Sequence, residues 1–259
     1  ASSDPATREL RDGDAAQRWR TVEPPPAPTT DEMNRLNTME LVAWHVSDFF
    51  ARHCRELRVL WNGVVIRALV TLCVGRRVRI SGAEHVAHLG SHDSILLASN
   101  HRTFFDFFVI TVLGLWNASG ASFFSLYPVR ATYFYSNPVG AIINLFMSAS
   151  AMFPPILNTP SDEARGEHHG GGREWNDYAV RRMVAELRAP GTVLGIHPEG
   201  TRNKDRDPCS MTKVKSGVGR LAIESPQAHV IPVFITGLGD NLWAEICKNF
   251  SESPLDNHP

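Results

Sequence analysis

The sequence predicts an α/β fold, a mostly parallel sheet covered by helices and preceded by an amino-terminal amphipathic helical element that binds membranes. Three observations carry that reading. Short apolar runs bounded by turn residues alternate with segments of helical period from about residue 77 onward, and strands that alternate with helices pair in parallel. Two of the runs, SILLASN and TVLGIH, lead straight into polar motifs, and the carboxyl ends of strands are where open α/β sheets bind ligands. The apolar segments ahead of residue 77 are edged by arginines, the pattern of a helix lying at a lipid surface.

Residues 1–30 are polar and end in VEPPPAPTT, too little apolar surface to offset chain entropy, so a disordered lead is expected. Its first twenty residues hold no apolar core of the kind a secretory signal needs, and the chain starts without methionine, which fits a processed or trimmed start. From Met33 to Phe50 apolar side chains recur at helical spacing (Leu36, Met39, Val42, Val46, Phe49), and Arg52, His53, Arg55 and Arg58 follow. The run VLWNGVVIRALVTLCVG, Val59 to Gly75, has Arg67 inside it and Arg76, Arg77 and Arg79 just beyond. It is shorter than the roughly 20 residues of a spanning helix, and Arg67 is costly at a bilayer centre. Two readings remain, a helix in the membrane interface or one packed in the core, and cations on both sides favour the interface. Residues 31–76 are therefore expected as a membrane-binding element and 77–259 as the α/β domain.

Within that domain VRISGAEHV and SILLASN are strand candidates, and FFDFFVITVLGLW reads as a helix. A turn at Asn137 and Pro138 opens an apolar helix, followed by a short strand closed by Pro154 and Pro155. NTPSDEARGEHHGGGRE is a glycine-rich loop. Trp175, Tyr178, Ala179, Met183 and Leu187 mark an amphipathic helix ended by Pro190 and Gly191. The strand TVLGIH, a helix around SGVGRLAIES and the strand HVIPVFI complete the pattern, with no internal repeat.

With 259 residues, 43% of them hydrophobic and 20% charged, the chain can bury a core of its own. A formal net charge of -1 gives no steering toward nucleic acid, and no nucleic-acid partner is expected. Anionic substrates must be met by local cations. Cys54, Cys73, Cys209 and Cys247 form no CxxC pair and read as ordinary thiols.

The chemistry concentrates at two strand ends. His101 stands where an apolar strand gives way to a helix, with Asp106 five residues on. On a continuous helix that offset turns the side chains roughly 140° apart, so they meet only if His101 precedes the helix. Thr103 and Asp106 have capping-box spacing, which puts the helix start between them. A His held at one nitrogen by a carboxylate can accept an alcohol proton at the other. The second motif gathers Glu199, Gly200, Thr201 and Arg202; Gly200 permits close backbone approach, and the guanidinium suits a phosphate. Lys213 and Lys215 precede a helix start and add positive charge.

NHRTFFD resembles the NHxxxxD motif, and HPEGTRN the FPEGTRS motif, of the glycerolipid and lysophospholipid acyltransferases that make phosphatidic acid from lysophosphatidic acid. The order of the motifs, the basic helix between them and a VIPVF strand similar to that family's fourth block agree, over roughly Val78 to Gly237. The resemblance implies direct acyl transfer without an acyl-enzyme. In it His101 deprotonates the acceptor hydroxyl, Asp106 orients and charges His101, and the oxygen attacks the thioester of acyl-CoA or acyl-carrier protein. No cofactor beyond that co-substrate is implied. Glu199, Gly200 and Arg202 would bind the glycerol phosphate and shape the site, with Asn100, Arg102, Arg130, Thr201, Lys213 and Lys215 completing the substrate-binding set and no residue ligating a metal. The implied partners are membrane lipids, the donor thioester and a lysophospholipid or glycerol-phosphate acceptor, met at the cytoplasmic face of a membrane by a peripheral or monotopic protein. The chain departs from the pattern where the second block usually carries an arginine and SASAMFPPILN stands instead. Arg130 takes the place of a frequent lysine before it, and His197 the place of phenylalanine.

Three other readings were open to the sequence. A lipid hydrolase or thioesterase would use similar substrates, but no GxSxG elbow is present. A metal enzyme would use His168, His169 and His197, which lack ligand spacing. A non-catalytic lipid-binding relative would not need the His and Asp together.

Overall fold

The computed structural model describes residues 24–149, 151–158, 172–205, 207, 209–239 and 241–251. Most of the expected disordered lead and of the glycine-rich loop lies outside them.

The centre is a four-stranded sheet in the order β2-β5-β1-β6, with β1 Ile95–Ser99, β2 Phe124–Leu126, β5 Thr192–Ile196 and β6 His229–Val233. Every ladder is parallel: Ile95 lies opposite both Val193 and His229, and Phe124 opposite Thr192. Alternation along the strands then divides the interior. Ile95, Leu97 and Val193 face one core cluster, while Leu96 and Leu194 face the other. Continuous apolar runs such as ILLAS and TVLGI are what a strand covered on both faces requires. A second pair, β3 Val129–Arg130 and β4 Pro155–Ile156, is also parallel.

Helices cover both faces. Chain order gives a single turn α1 Thr30–Met33, then α2 Thr38–His53 and α3 Arg55–Val74. Between β1 and β2 runs α4 Asp106–Ser119, and between β3 and β4 lie α5 Ala131–Phe134 and α6 Pro138–Ser148. After β4 come α7 Arg173–Leu187, α8 Gly217–Glu224 and α9 Leu242–Ser251. Two long helices carry π-helical stretches, Asn62–Ile66 in α3 and Val109–Leu115 in α4.

The structure departs from the sequence reading in several places. VRISGAEHV is not a strand: Gly82 takes a left-handed conformation (φ 80°) and a single 3-10 turn follows at Ala83–His85. The strands β2 and β3, of three and two residues and too short to show a period, were not foreseen, and the strand expected to close at Pro154 and Pro155 instead begins at Pro155. The helix expected from Met33 to Phe50 is interrupted, because Asn37 caps α2: its side chain accepts from the Glu40 N–H, and the Glu40 carboxylate accepts from the Asn37 N–H.

The core reading of the Val59–Gly75 segment holds for one face of α3, and the other face is exposed. Ile66, Val70, Cys73 and Val74 enter the core, whereas Leu57, Leu60, Val64 and Leu72 stay exposed. Arg55–Val74 is the one described helix long and apolar enough to cross a membrane. Its inner face is nonetheless joined to the sheet.

Buried charge makes that joint. Arg182 of α7 is completely buried and pairs with Glu186 at 2.9 Å and with Asp48 of α2. Glu186 also takes Arg55 at 3.0 Å. Arg55 and Arg58 place their guanidinium carbons 3.7 and 4.4 Å from the Phe124 ring centroid. Arg58 donates to the Ser125 carbonyl at 3.2 Å, and burial pushes its pKa down to about 9. Removing one partner of such a cluster leaves an uncompensated buried charge. Glu186→Ala is expected to lower unfolding free energy by about 3–5 kcal/mol, read from urea denaturation, because it takes a carboxylate partner from both Arg182 and Arg55.

Candidate active site

At the carboxyl end of β1 the chain is clamped before any reactive group appears. The Asn100 amide donates to the Ile235 carbonyl at 2.8 Å and accepts the Ile235 N–H at 2.7 Å, pinning β1 to the segment that leaves β6. His101 follows, partly exposed, and its Nδ1 lies 3.2 Å from Asp106 Oδ2. Asp106 is the first residue of α4, so His101 does precede the helix.

Only half of a capping box forms, the bond from the Thr103 N–H to the Asp106 carboxylate, while the Thr103 hydroxyl takes other partners. Thr103 donates its N–H at 2.9 Å and its hydroxyl at 2.8 Å to the Asp106 carboxylate, which also takes the Arg102 N–H at 2.7 Å. Burial alone would raise the Asp106 pKa, but the hydrogen bonds from His101, Thr103 and Arg102 outweigh it and hold the carboxyl below its ordinary range. An ionised carboxylate only accepts, so the neutral His101 ring carries its proton on Nδ1 and presents the Nε2 lone pair for chemistry.

The second motif holds the same loop from the other side. The ladder sets Ala98 opposite Ile196, so Ser99 and His197 leave the sheet as neighbours. Glu199 is buried; Oε1 accepts the His101 N–H at 2.7 Å, and Oε2 accepts the Thr212 N–H and hydroxyl, both at 2.8 Å. Although burial opposes it, the hydrogen bonds from Thr212 and His101 keep the Glu199 carboxyl below its usual value. The Asn203 N–H donates to the His101 carbonyl at 2.6 Å. Gly200 turns the chain at φ 69°, and a Cβ there would sit 3.1 Å from the Lys215 ammonium nitrogen.

The residues expected to bind substrate therefore divide. Asn100 and Glu199 are buried ties between strand ends. Arg102 reaches along the protein to the carbonyls of Asp205 at 2.7 Å and Asp207 at 3.3 Å. Thr201, Arg202, Lys213 and Lys215 are exposed on the second motif and the segment after it, while half-buried Arg130 lies on β3, in the separate two-stranded sheet.

Sequence reasoning gave His197 no role beyond a weak metal reading. The structure stacks its ring on His101, with centroids 3.7 Å apart and planes 8° from parallel, and on Phe107 at 3.8 Å. Its place at the end of a strand adjacent to β1 was the available signal, but strand order is invisible in one sequence. Donor atoms of His101, Asp106 and His197 fall within 4.8 Å of one another. Imidazole lone pairs lie in the ring plane, so stacked rings direct them side by side and not toward one ion. His168 and His169 lie outside the described residues.

A sequence profile described as acyltransferase matches residues 77–236, more than half of the chain. The chain belongs to the acyltransferase family. No curated protein matches it. The matched span begins after α3 and contains the whole four-stranded sheet and both motifs. In this acyltransferase the matched span contains the His101 and Asp106 pair, whose side chains are in hydrogen-bond contact.

Because the Asp106 pKa is lowered on folding, its stabilising contribution is present above the ordinary carboxylate value, about 4, and is lost as pH falls through the folded value. Melting temperature followed from pH 7 to pH 3 should therefore fall less steeply in Asp106→Asn than in the native chain.

Proposed function

We propose that this acyltransferase transfers a fatty acyl group from a thioester, acyl-CoA or acyl-carrier protein, to a hydroxyl of a lysophospholipid or glycerol phosphate, with lysophosphatidic acid as the foremost acceptor. The observation that carries the reading is the His101 and Asp106 pair at the end of β1, fixed from the other side by Glu199. His101 Nε2 takes the acceptor's proton as its oxygen attacks the thioester carbonyl. The tetrahedral intermediate collapses, the carbon–sulfur bond breaks, and the imidazolium returns the proton to the departing thiolate. Asp106 stays ionised and stabilises the imidazolium. No cofactor is required beyond the donor thioester.

Arg202, Lys213 and Lys215 are exposed around the turn at Gly200 and supply the charge for the acceptor's phosphate. Lys215 crowds that turn most closely.

The reaction is proposed at a lipid surface, on the cytoplasmic face. Three helices close a triangle. α2 runs into α3, the Trp61 indole of α3 donates to the Phe146 carbonyl of α6 at 3.1 Å, and Ser136 just before α6 donates to Glu40 of α2. Each side leaves an apolar stripe in solvent: Val42, Val46 and Phe49 on α2, Leu57, Leu60 and Val64 on α3, Val139, Ile142 and Phe146 on α6. α6, PVGAIINLFMS, has no charged side chain. An exposed apolar surface of this extent fits a lipid interface, and exposed Arg67 within α3 and Arg76 and Arg79 beyond its end fit anionic headgroups.

His101→Ala is expected to abolish acyl transfer to added lyso-acceptor, measured by mass spectrometry, while sedimentation with anionic vesicles stays unchanged. Native-level transfer in that variant would refute the base. Ile142→Glu with Phe146→Glu should weaken vesicle binding by about tenfold or more, from the cost of placing two charges in the interface, without changing the circular dichroism spectrum.

A further inference from the structure

Asp106 holds one atom of the His101 ring, and one atom does not fix a plane. A ring tethered only at Nδ1 can still tip about that contact and swing Nε2 away from the acceptor. A pile of rings removes this freedom. Tyr127 lies against Phe107 (5.0 Å, 8°), Phe107 against His197 (3.8 Å, 22°), and His197 against His101 (3.7 Å, 8°). The far ring and the one next to His101 are anchored: the Tyr127 hydroxyl donates to Thr111 Oγ1 at 3.0 Å, and His197 Nδ1 lies 3.0 Å from the Ser99 carbonyl oxygen. A carbonyl only accepts, so His197 carries its proton on Nδ1 and is locked by its edge to the same strand that delivers His101.

We propose that His197 is a positioning residue of the transfer reaction: its flat face sets the plane of the His101 ring, so that Nε2 points at the acceptor hydroxyl, and remains against the imidazolium that forms. This rests on His101 being the base. Two properties suit His197 to the task. Its position is inherited from the core through Phe107 and Tyr127, so the base is aimed before substrate arrives, and small errors in such aim are costly in rate. Its ring is also uncharged when the imidazolium forms. Burial first, then the charge of His101, push the His197 pKa down to about 4, against a weaker upward pull from the Ser99 carbonyl, Asp106 and the Asn100 backbone. A neutral π face against a cation is attractive, whereas a second cation there would oppose proton uptake by His101.

The competing account is packing alone, in which any apolar side chain of similar volume serves. His197→Phe keeps a flat face without the Ser99 bond, while His197→Leu and His197→Met keep bulk without the face. With saturating acyl thioester and lyso-acceptor, the purified full chain carrying His197→Phe should retain kcat within about threefold. His197→Leu should lose about tenfold or more in kcat with KM nearly unchanged, the pattern of a contribution made in the transition state. Circular dichroism melts establish folding, and His197→Met carries the same expectation should His197→Leu not fold. Native kcat in either aliphatic variant overturns the proposal. So does a His197→Phe enzyme as slow as they are, which would assign the effect to the Ser99 bond. His101→Ala separates the two levels: if it remains active the base reading itself fails, and if it is dead while His197→Leu is fully active only the positioning role fails.

Discussion

The Asp106 carboxylate is the point on which the site depends. A fully buried carboxylate is tolerated only when its lone pairs are met, and here four groups meet them: His101 Nδ1, two backbone N–H groups and the Thr103 hydroxyl. All four come from residues 101–103, so satisfying the carboxylate and shaping the loop after β1 are one event. Glu199 repeats the device from the neighbouring strand, gathering the N–H of His101 and that of Thr212. The loop after β1 is thereby held by two anions, one from each motif.

That arrangement requires β1 and β5 to be adjacent, and the rest of the fold secures their adjacency. The parallel ladder sets the two strand ends level, and Asn100 ties β1 to the segment after β6. The amino-terminal helices contribute from below: Arg55 bonds Glu186 of α7 and Thr192 of β5, and Arg58 bonds Ser125 of β2. The same helices present apolar stripes outward. One face of α2 and α3 thus belongs to the core, while the other is exposed.

Much of this was legible in the sequence because it depends on local pattern. The runs ILLAS and TVLGI, the helix after His101 and the two motifs declare themselves by composition and period. The requirement that His101 precede the helix followed from helical geometry alone, and it holds. What stayed hidden depends on partners distant in the chain. Nothing near Asn100 says that its amide pairs with Ile235, and nothing near Glu199 says that its carboxylate is used by His101 and Thr212 and not by a ligand. Thr103 has cap spacing, yet its hydroxyl accepts the Phe105 N–H and not that of Asp106, and donates its own proton to the buried Asp106 carboxylate. His197 was opaque for the same reason: its meaning lies in a stack set by strand order.

The central claim is that Asp106 fixes the proton on His101 Nδ1 and leaves Nε2 bare to act as base. Nitrogen-15 spectra of the imidazole in native chain and in Asp106→Asn, recorded with His101 neutral, test it directly. The account predicts an Nδ1-protonated ring in the native chain and a loss of that preference in the variant. A native His101 with its proton on Nε2 would contradict it.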